Sequence, residues 1–209
     1  MKAKLGHILM TLGTVLVAAA LGLVLFNNWQ DSRAGQSADL VLGSLKQAVE
    51  PDTPKDEWQQ AGLSDEMTVR EIDGHGYIGY LSMPSLELEL PVMDQWDEAR
   101  LQIAPCRQFG TTGGGDLVIA GHNYRRHFGP INRLVPGDEI LFTDMDGKVW
   151  RYLVDTVQTI SPLALDVIQD DQWQLVLYTC DYSGSRRIMA GCVLVDCTEP
   201  ESTEPSDNL

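Results

Sequence analysis

Two stretches of this chain share one shape. Gln174-Leu-Val-Leu-Tyr-Thr-Cys180 and Val118-Ile-Ala-Gly-His-Asn123 are apolar, strand-like runs that each stop at a reactive side chain. Cysteine attacks as its thiolate, and a neighbouring imidazolium or guanidinium increases the fraction in that form. A histidine at the end of a second strand can protonate a leaving amine and then deprotonate the next nucleophile. Arg186-Arg187 opens a third apolar run after a short turn. A guanidinium beside the sulfur can hold a substrate carbonyl or stabilise the oxyanion of a tetrahedral intermediate. Cys180, His122 and one of the two arginines are therefore a candidate set for covalent catalysis. Taken alone, Cys180 would more often be a small core hydrophobe. Its pairing with Gly121-His122-Asn123 favours chemistry, because the glycine leaves the backbone free to turn at the strand end.

The remaining titratable groups carry less. Arg125, Arg126 and His127 follow His122 closely and are expected on an exposed loop, and His7 and His75 look incidental. Cys106, Cys192 and Cys197 form no C-x-x-C pair, which argues against both a zinc ribbon and a disulfide scaffold. Cys192 sits within an expected strand and is most simply core; Cys106, beside Pro105, is either a loop core residue or part of a substrate groove. A disulfide to Cys180 would abolish its activity, so Cys180 is expected to stay reduced. A net charge of −15 argues against a nucleic-acid partner.

The elements that must position these residues begin with an anchor. From Leu5 to Phe26 there is no Asp, Glu, Lys or Arg, and the run is long enough to cross a hydrocarbon core of about 30 Å at about 1.5 Å per residue. Lys2 and Lys4 before it and Asp31 after it favour an inside N-terminus. The chain then divides into a cytoplasmic 1–4, a transmembrane signal anchor 5–26, an extracellular linker or stalk 27–75, a catalytic domain 76–197 and a disordered acidic tail 198–209. That makes a single-pass cell-membrane protein with its domain outside. A cleaved signal peptide ending near Ser32-Arg33-Ala34 is the competing reading, disfavoured by the length of the run and by bulky Phe26 and Trp29 at its exit. Within the stalk, Ser37 to Val49 has helical spacing with Ser37 or Asp39 as cap, and Pro51 and Pro54 end it. The stalk is expected to be a spacer, the other reading being a lid over the site.

In the domain, Tyr77–Met83, Leu86–Val92, Asp116–Ala120, Glu139–Thr143, Lys148–Ile160, Trp173–Thr179 and Arg187–Val195 have strand character. Asp94–Ile103 and Ile131–Leu134 are helical, and a hairpin turns at Asp144-Met-Asp-Gly147. Many short strands with regular turn signals predict an all-β barrel or sandwich with minor helices.

At its reactive residues the chain resembles the sortases, the membrane-anchored cysteine transpeptidases of Gram-positive bacteria. The family's Thr-Leu-x-Thr-Cys motif is matched by Leu177-Tyr178-Thr179-Cys180, with Val176 where a threonine is usual, and its histidine motif by Val118-Ile119-Ala120-Gly121-His122. Tyr77-Ile-Gly-Tyr-Leu, Leu90-Pro-Val, Phe128-Gly129, Pro136-Gly-Asp138 and Phe142-Thr-Asp144 are smaller matches, so the likeness runs from about Tyr77 to Val195. It implies an all-β, eight-stranded sortase-type β-barrel with short helices behind an N-terminal transmembrane helix. It also implies Cys180 as nucleophile and His122 as general acid and base. The family arginine opens the strand after the cysteine, which selects Arg187, with Arg186 as the alternative; adjacent strand residues face opposite ways, so only one can serve.

The reaction implied is cleavage of a Leu-Pro-x-Thr-Gly-like sorting motif through a Cys180 thioester, then transfer to an amine. The partners implied are sorting-signal-bearing surface proteins and an acceptor amine, either a peptidoglycan cross-bridge or a pilin lysine, for cell-wall anchoring or pilin assembly. No cofactor is required. Some members bind calcium through acidic loops, for which Asp94, Asp97, Glu98, Asp166, Asp170 and Asp171 are the residues on offer, although acidic loop residues are usually just solvated. The short segment between Ile160 and Trp173 excludes the long helical insertion of class B, and the linker lacks an obvious class C lid, which leaves a class D-like or unassigned subclass. The rival readings are a cysteine hydrolase on the same fold and a non-catalytic membrane-anchored binding domain.

Overall fold

The computed structural model of the chain describes residues 2–49, 66–168, 172–181 and 183–198. The prolines expected to end the first helix, and the acidic tail beyond Thr198, lie outside the described residues.

Nine strands form one hydrogen-bonded sheet: β1 (Arg70–Ile72), β2 (His75–Met83), β3 (Leu88–Met93), β4 (Cys106–Phe109), β5 (Leu117–Ala120), β6 (Glu139–Asp144), β7 (Val149–Ile160), β8 (Leu175–Cys180) and β9 (Arg187–Thr198). Their spatial order is β1-β2-β3-β4-β5-β8-β9-β7-β6, and β6 pairs back onto β2. Eight strands thus follow one another in a ring, with β1 beside the first half of β2. The β3–β4 and β5–β8 pairs are parallel and the rest antiparallel. A cluster drawn from every ring strand except β4 fills the ring, including Ile78, Leu81, Val92, Ile119, Phe142, Tyr152, Leu177 and Ala190.

One glycine makes this inside–outside pattern work along β2. Ile78 points into the ring cluster while Tyr77 and Tyr80 join an outer one, so the alternation flips between 78 and 81. The flip coincides with a register shift between Tyr77 and Gly79. Such a bulge adds a residue and re-aims the side chains beyond it. Gly79 has φ +149°, and a Cβ there would lie 2.1 Å from the Thr143 carbonyl oxygen of β6. Only glycine fits.

The sequence expectations need four corrections here. β3 starts at Leu88, because Pro84 begins a 3₁₀ turn over Pro84–Leu86 and Glu87 follows with φ +54°. Strands β1 and β4 were expected as linker and loop; β1 moves the start of the folded domain from 76 to Arg70. Of the expected helical segments, Asp94–Ile103 shrinks to α2 (Glu98–Leu101) and Ile131–Leu134 becomes a 3₁₀ turn at Gly129–Arg133, while a short helix not expected, α3, forms at Leu165–Ile168.

The largest difference concerns residues 27–49. Helix α1 runs unbroken from Lys2 to Val49. Ser37 caps nothing; its hydroxyl donates to the Arg33 carbonyl one turn back, at 3.1 Å. Met10–Trp29 is wholly exposed, with mean hydropathy 2.0. Beyond it, Ala38, Val41, Leu42 and Leu45 are buried. Their spacing makes one helical stripe; Val41 and Leu45 pack on the outer cluster holding Tyr77, Met93, Ala104, Cys106, Ala120 and Met145, while Ala38 joins the larger cluster of the ring. Lys46 pairs with Glu89 at 2.6 Å and Asp39 with Arg126 at 2.5 Å on its flanks. The last turns of α1 are therefore a docked part of the domain and not a spacer.

Two substitutions test this packing. Gly79→Ala is expected to destabilise the domain by roughly 2–5 kcal/mol, from combined overpacking and backbone strain. Leu45→Ala, at a fully buried site, is expected to cost about 2–5 kcal/mol, whereas a mere spacer would show no loss. Denaturant unfolding of the full chain in detergent micelles, followed by tryptophan fluorescence, measures both.

Candidate active site

Three neighbouring strand ends build the site. Along β8 the side chains alternate: Leu175 and Leu177 enter the ring cluster, whereas Val176 and Tyr178 join the outer clusters. By the same alternation Cys180, the last strand residue, belongs to the outer face; it is half-buried. Parallel β5 lies on one side with Ala120 opposite Tyr178. The Gly121 N–H donates to the Tyr178 carbonyl at 3.0 Å. The chains thus stay paired one residue past the strand, bringing His122 level with Cys180. Antiparallel β9 lies on the other side, with Arg187 directly opposite Cys180. Opposed residues in such a pair have Cβ atoms about 4.5–5.5 Å apart and share a face.

The arginine alternatives separate on this register. Arg187 opens β9 half-buried and across from the cysteine; Arg186 sits in the preceding turn, exposed. The Arg187 guanidinium is steadied by the Arg186 and Gly184 carbonyls at 3.2 and 3.4 Å. Tyr178, between the clusters on the cysteine's face, donates to Gln108. Burial pushes its phenol up to about 12, with the Arg187 charge opposing the rise.

The β8–β9 turn is held by Asp181. Its carboxylate accepts from the Ser183 hydroxyl at 2.8 and 2.9 Å and from the Arg186 N–H at 3.3 Å. The Ser183 bond holds the Asp181 carboxyl below its ordinary range. Asn123 ties this turn to the histidine loop, its Nδ2 donating to the Asp181 carbonyl at 3.1 Å. Sequence reasoning gave Asn123 no role. The loop folds back through a Phe128 N–H to His122 carbonyl bond of 3.1 Å. Gly121 is needed for close approach and not for turning: a Cβ there would lie 2.6 Å from the Phe128 ring.

His122 is 22% exposed, its ring tilted against Tyr124 with centroids 4.9 Å apart. Nε2 is closed to solvent without a hydrogen bond and lies 3.7 Å from Glu98 Oε1. Burial pushes the imidazole below its ordinary value, with the Glu98 carboxylate pulling the other way. The free site therefore favours the neutral imidazole. His127, expected on an exposed loop, is fully buried, with its ring 5.5 Å from that of Tyr124.

None of the four cysteines is in a disulfide. Cys106 and Cys192 are fully buried, and burial pushes both thiols up, Cys106 to about 12. This leaves them protonated and inert, as core residues are. Cys197 is exposed near the end of β9. Of the acidic residues offered for calcium, Asp97 caps α2 by accepting from the Arg100 N–H at 2.7 Å. Arg100 also faces Asp97 and Asp94 carboxylate oxygens at 3.4 and 3.9 Å. Among the described residues no group of three or more His, Cys, Asp or Glu side chains is arranged to hold a metal. Asp170, Asp171 and the Asp166 side chain lie outside what is described.

The sortase domain family model matches residues 81–195. Sortase A of Bacillus anthracis is 31% identical over 121 residues, covering 55% of this chain and 57% of that protein. Sortase A of Listeria monocytogenes is 30% identical over 115 residues, covering 52% and 51%. The chain thus spans little more than half the length of these curated relatives. Among solved structures, Streptococcus pneumoniae sortase C superposes with TM-score 0.63 at 20% identity, covering 77% of this chain and 99% of the other. A Clostridium perfringens sortase D5 transpeptidase gives TM-score 0.60 at 19% identity, covering 77% and 99%. These structural likenesses speak for the fold. With the family model matching over half of its residues, the chain belongs to the sortase family.

Proposed function

We propose that this chain is a membrane-anchored cysteine transpeptidase, working on the outer face of the cell membrane from a sortase-type eight-stranded barrel. The observation that carries the reading is the meeting of three strand ends: Cys180 opposite Arg187 on β9 and level with His122 after β5. In the first step the Cys180 sulfur attacks the carbonyl of a Leu-Pro-x-Thr-Gly-like sorting motif on a surface protein. The Arg187 guanidinium stabilises the oxyanion. His122 takes the proton of the Cys180 thiol and gives it to the departing amine as the C–N bond breaks, and the acyl group stays on sulfur as a thioester. In the second step an amine, from a peptidoglycan cross-bridge or a pilin lysine, attacks the thioester. The C–N bond forms, the C–S bond breaks, and His122 removes the proton the amine loses. The thioester retains the acyl group in activated form, so neither ATP nor a cofactor enters.

Membrane attachment is supported by the exposed apolar Met10–Trp29 segment of α1. The short β7–β8 connection, with only α3 described within it, supports a subclass without the class B insertion, either class D-like or unassigned. Of the linker in which a class C lid would fall, residues 50–65 lie outside those described.

The test is a panel of quenched Leu-Pro-x-Thr-Gly-like peptides with an amine acceptor, followed by intact mass spectrometry of the full chain in micelles. An acyl-enzyme that forms on wild type and vanishes in Cys180→Ala, together with an amine adduct, is the expected result. Release of free acid alone, with amine in excess, would mean a hydrolase. Arg187→Ala is expected to lower kcat/KM about 10²- to 10³-fold, as loss of one oxyanion donor does. Arg186→Ala should stay within roughly threefold, as an exposed turn residue; equal losses would defeat the register argument. By NMR titration of the free enzyme, His122 should titrate below the ordinary histidine value. Glu98→Gln should move it lower still, because the carboxylate that favours the charged ring is gone.

A further inference from the structure

Glu98 stands against the histidine and has no part in the steps above. It is the first residue of α2, whose start is set by the Asp97 cap on the Arg100 N–H. Its carboxylate is 73% exposed, while the imidazole nitrogen 3.7 Å away is closed to solvent. Burial favours the neutral form of that imidazole, and the Glu98 carboxylate is the charged group paired with it. Arg100, the cation on the same helix, faces its own acidic neighbours Asp94 and Asp97. Arg107 donates to the Asp94 carbonyl at 3.0 Å.

Resting on the transpeptidase reading above, we propose that Glu98 selects the second substrate by charge, drawing in an acceptor that arrives as an ammonium ion. A primary amine is protonated near neutral pH, and it must lose that proton beside His122 before attacking the thioester. The ammonium meets the Glu98 carboxylate on its way to the imidazole. The exposed side chain is free to turn with it, and a neutral ring does not repel it. One proton passes to His122, the freed nitrogen attacks the thioester carbonyl, the C–S bond breaks, and the departing Cys180 sulfur takes the second proton that the nitrogen loses on becoming an amide. An uncharged nucleophile gains nothing from the carboxylate.

That difference is the test. The full chain in micelles, supplied with one cleavable peptide, is titrated with two nucleophiles: a glycinamide-type amine, cationic at pH 7, and hydroxylamine, neutral there. The quantity read is the ratio of their KM values in wild type, Glu98→Gln and Glu98→Asp. Taking a ratio cancels any general effect of Glu98 on His122 or on thioester formation. Glu98→Gln is expected to raise the ratio of cationic to neutral KM by roughly three- to fivefold, the scale of an exposed ion pair. Glu98→Asp should keep most of the wild-type preference, and added salt should shrink the wild-type difference. An unchanged ratio in Glu98→Gln would overturn the acceptor role while leaving the transpeptidase intact. Cleavage with no adduct from either nucleophile in wild type would instead overturn the transpeptidase reading, and the acceptor role with it.

Discussion

Everything at the candidate site depends on the position of β8 between a parallel and an antiparallel neighbour. A parallel partner ends at the same end of the sheet as β8 does, and an antiparallel partner begins there. Cys180 therefore has the exit of β5 on one side and the entrance of β9 on the other. No loop has to reach across the molecule to assemble three polar groups. Register alone does it, and register is held by the ring cluster: a one-residue slip of β8 would turn Leu175, Leu177 and buried Thr179 outward and Cys180 inward. The loops then make small adjustments. Asp181 shapes one, Phe128 closes on the other through Gly121, and Asn123 joins the two.

The same ring has an outside that is largely dry. Tyr178 and Ala120, each two residues before a candidate catalytic residue, belong to outer clusters. One of these is covered by the end of α1. The packing that keeps Cys106 buried and inert is thus shared with the packing that seats the end of α1. Docking and site geometry draw on one apolar surface, so they are coupled energetically.

Much of this was legible in the sequence, for identifiable reasons. Apolar runs that end in Cys180 and His122 mark strand ends directly. The short turn between Cys180 and Arg187 makes their pairing a local matter; alternation says only that one of the two arginines can serve, and the family resemblance selected Arg187. Strand β4 was not legible because Cys106–Phe109 shows no alternation and is bounded by Pro105 and Gly110. Strand β1 has three residues, two of them exposed and charged. The stripe Ala38, Val41, Leu42, Leu45 was visible as a helix, but nothing local says what a stripe packs on. Glu98 against His122, Asn123 on Asp181 and Asp39 on Arg126 are contacts between elements far apart in the chain, and only the folded topology brings them together. His127 was misjudged because two arginines precede it; the loop turns it under Tyr124, while Arg125 and Arg126 stay outside.

On the membrane-anchored reading proposed above, the unbroken helix also decides how the domain moves. Met10–Trp29 then spans the bilayer, and only ten residues of helix, about 15 Å, separate Trp29 from the turn where Asp39 pairs with Arg126. A flexible tether would let the domain tumble and sample every orientation at a range of heights. A docked stem leaves it two freedoms, drift in the plane of the membrane and rotation about the helix. The mouth of the site therefore sweeps a thin layer at nearly constant altitude. Encounters become a search over an area and not through a volume.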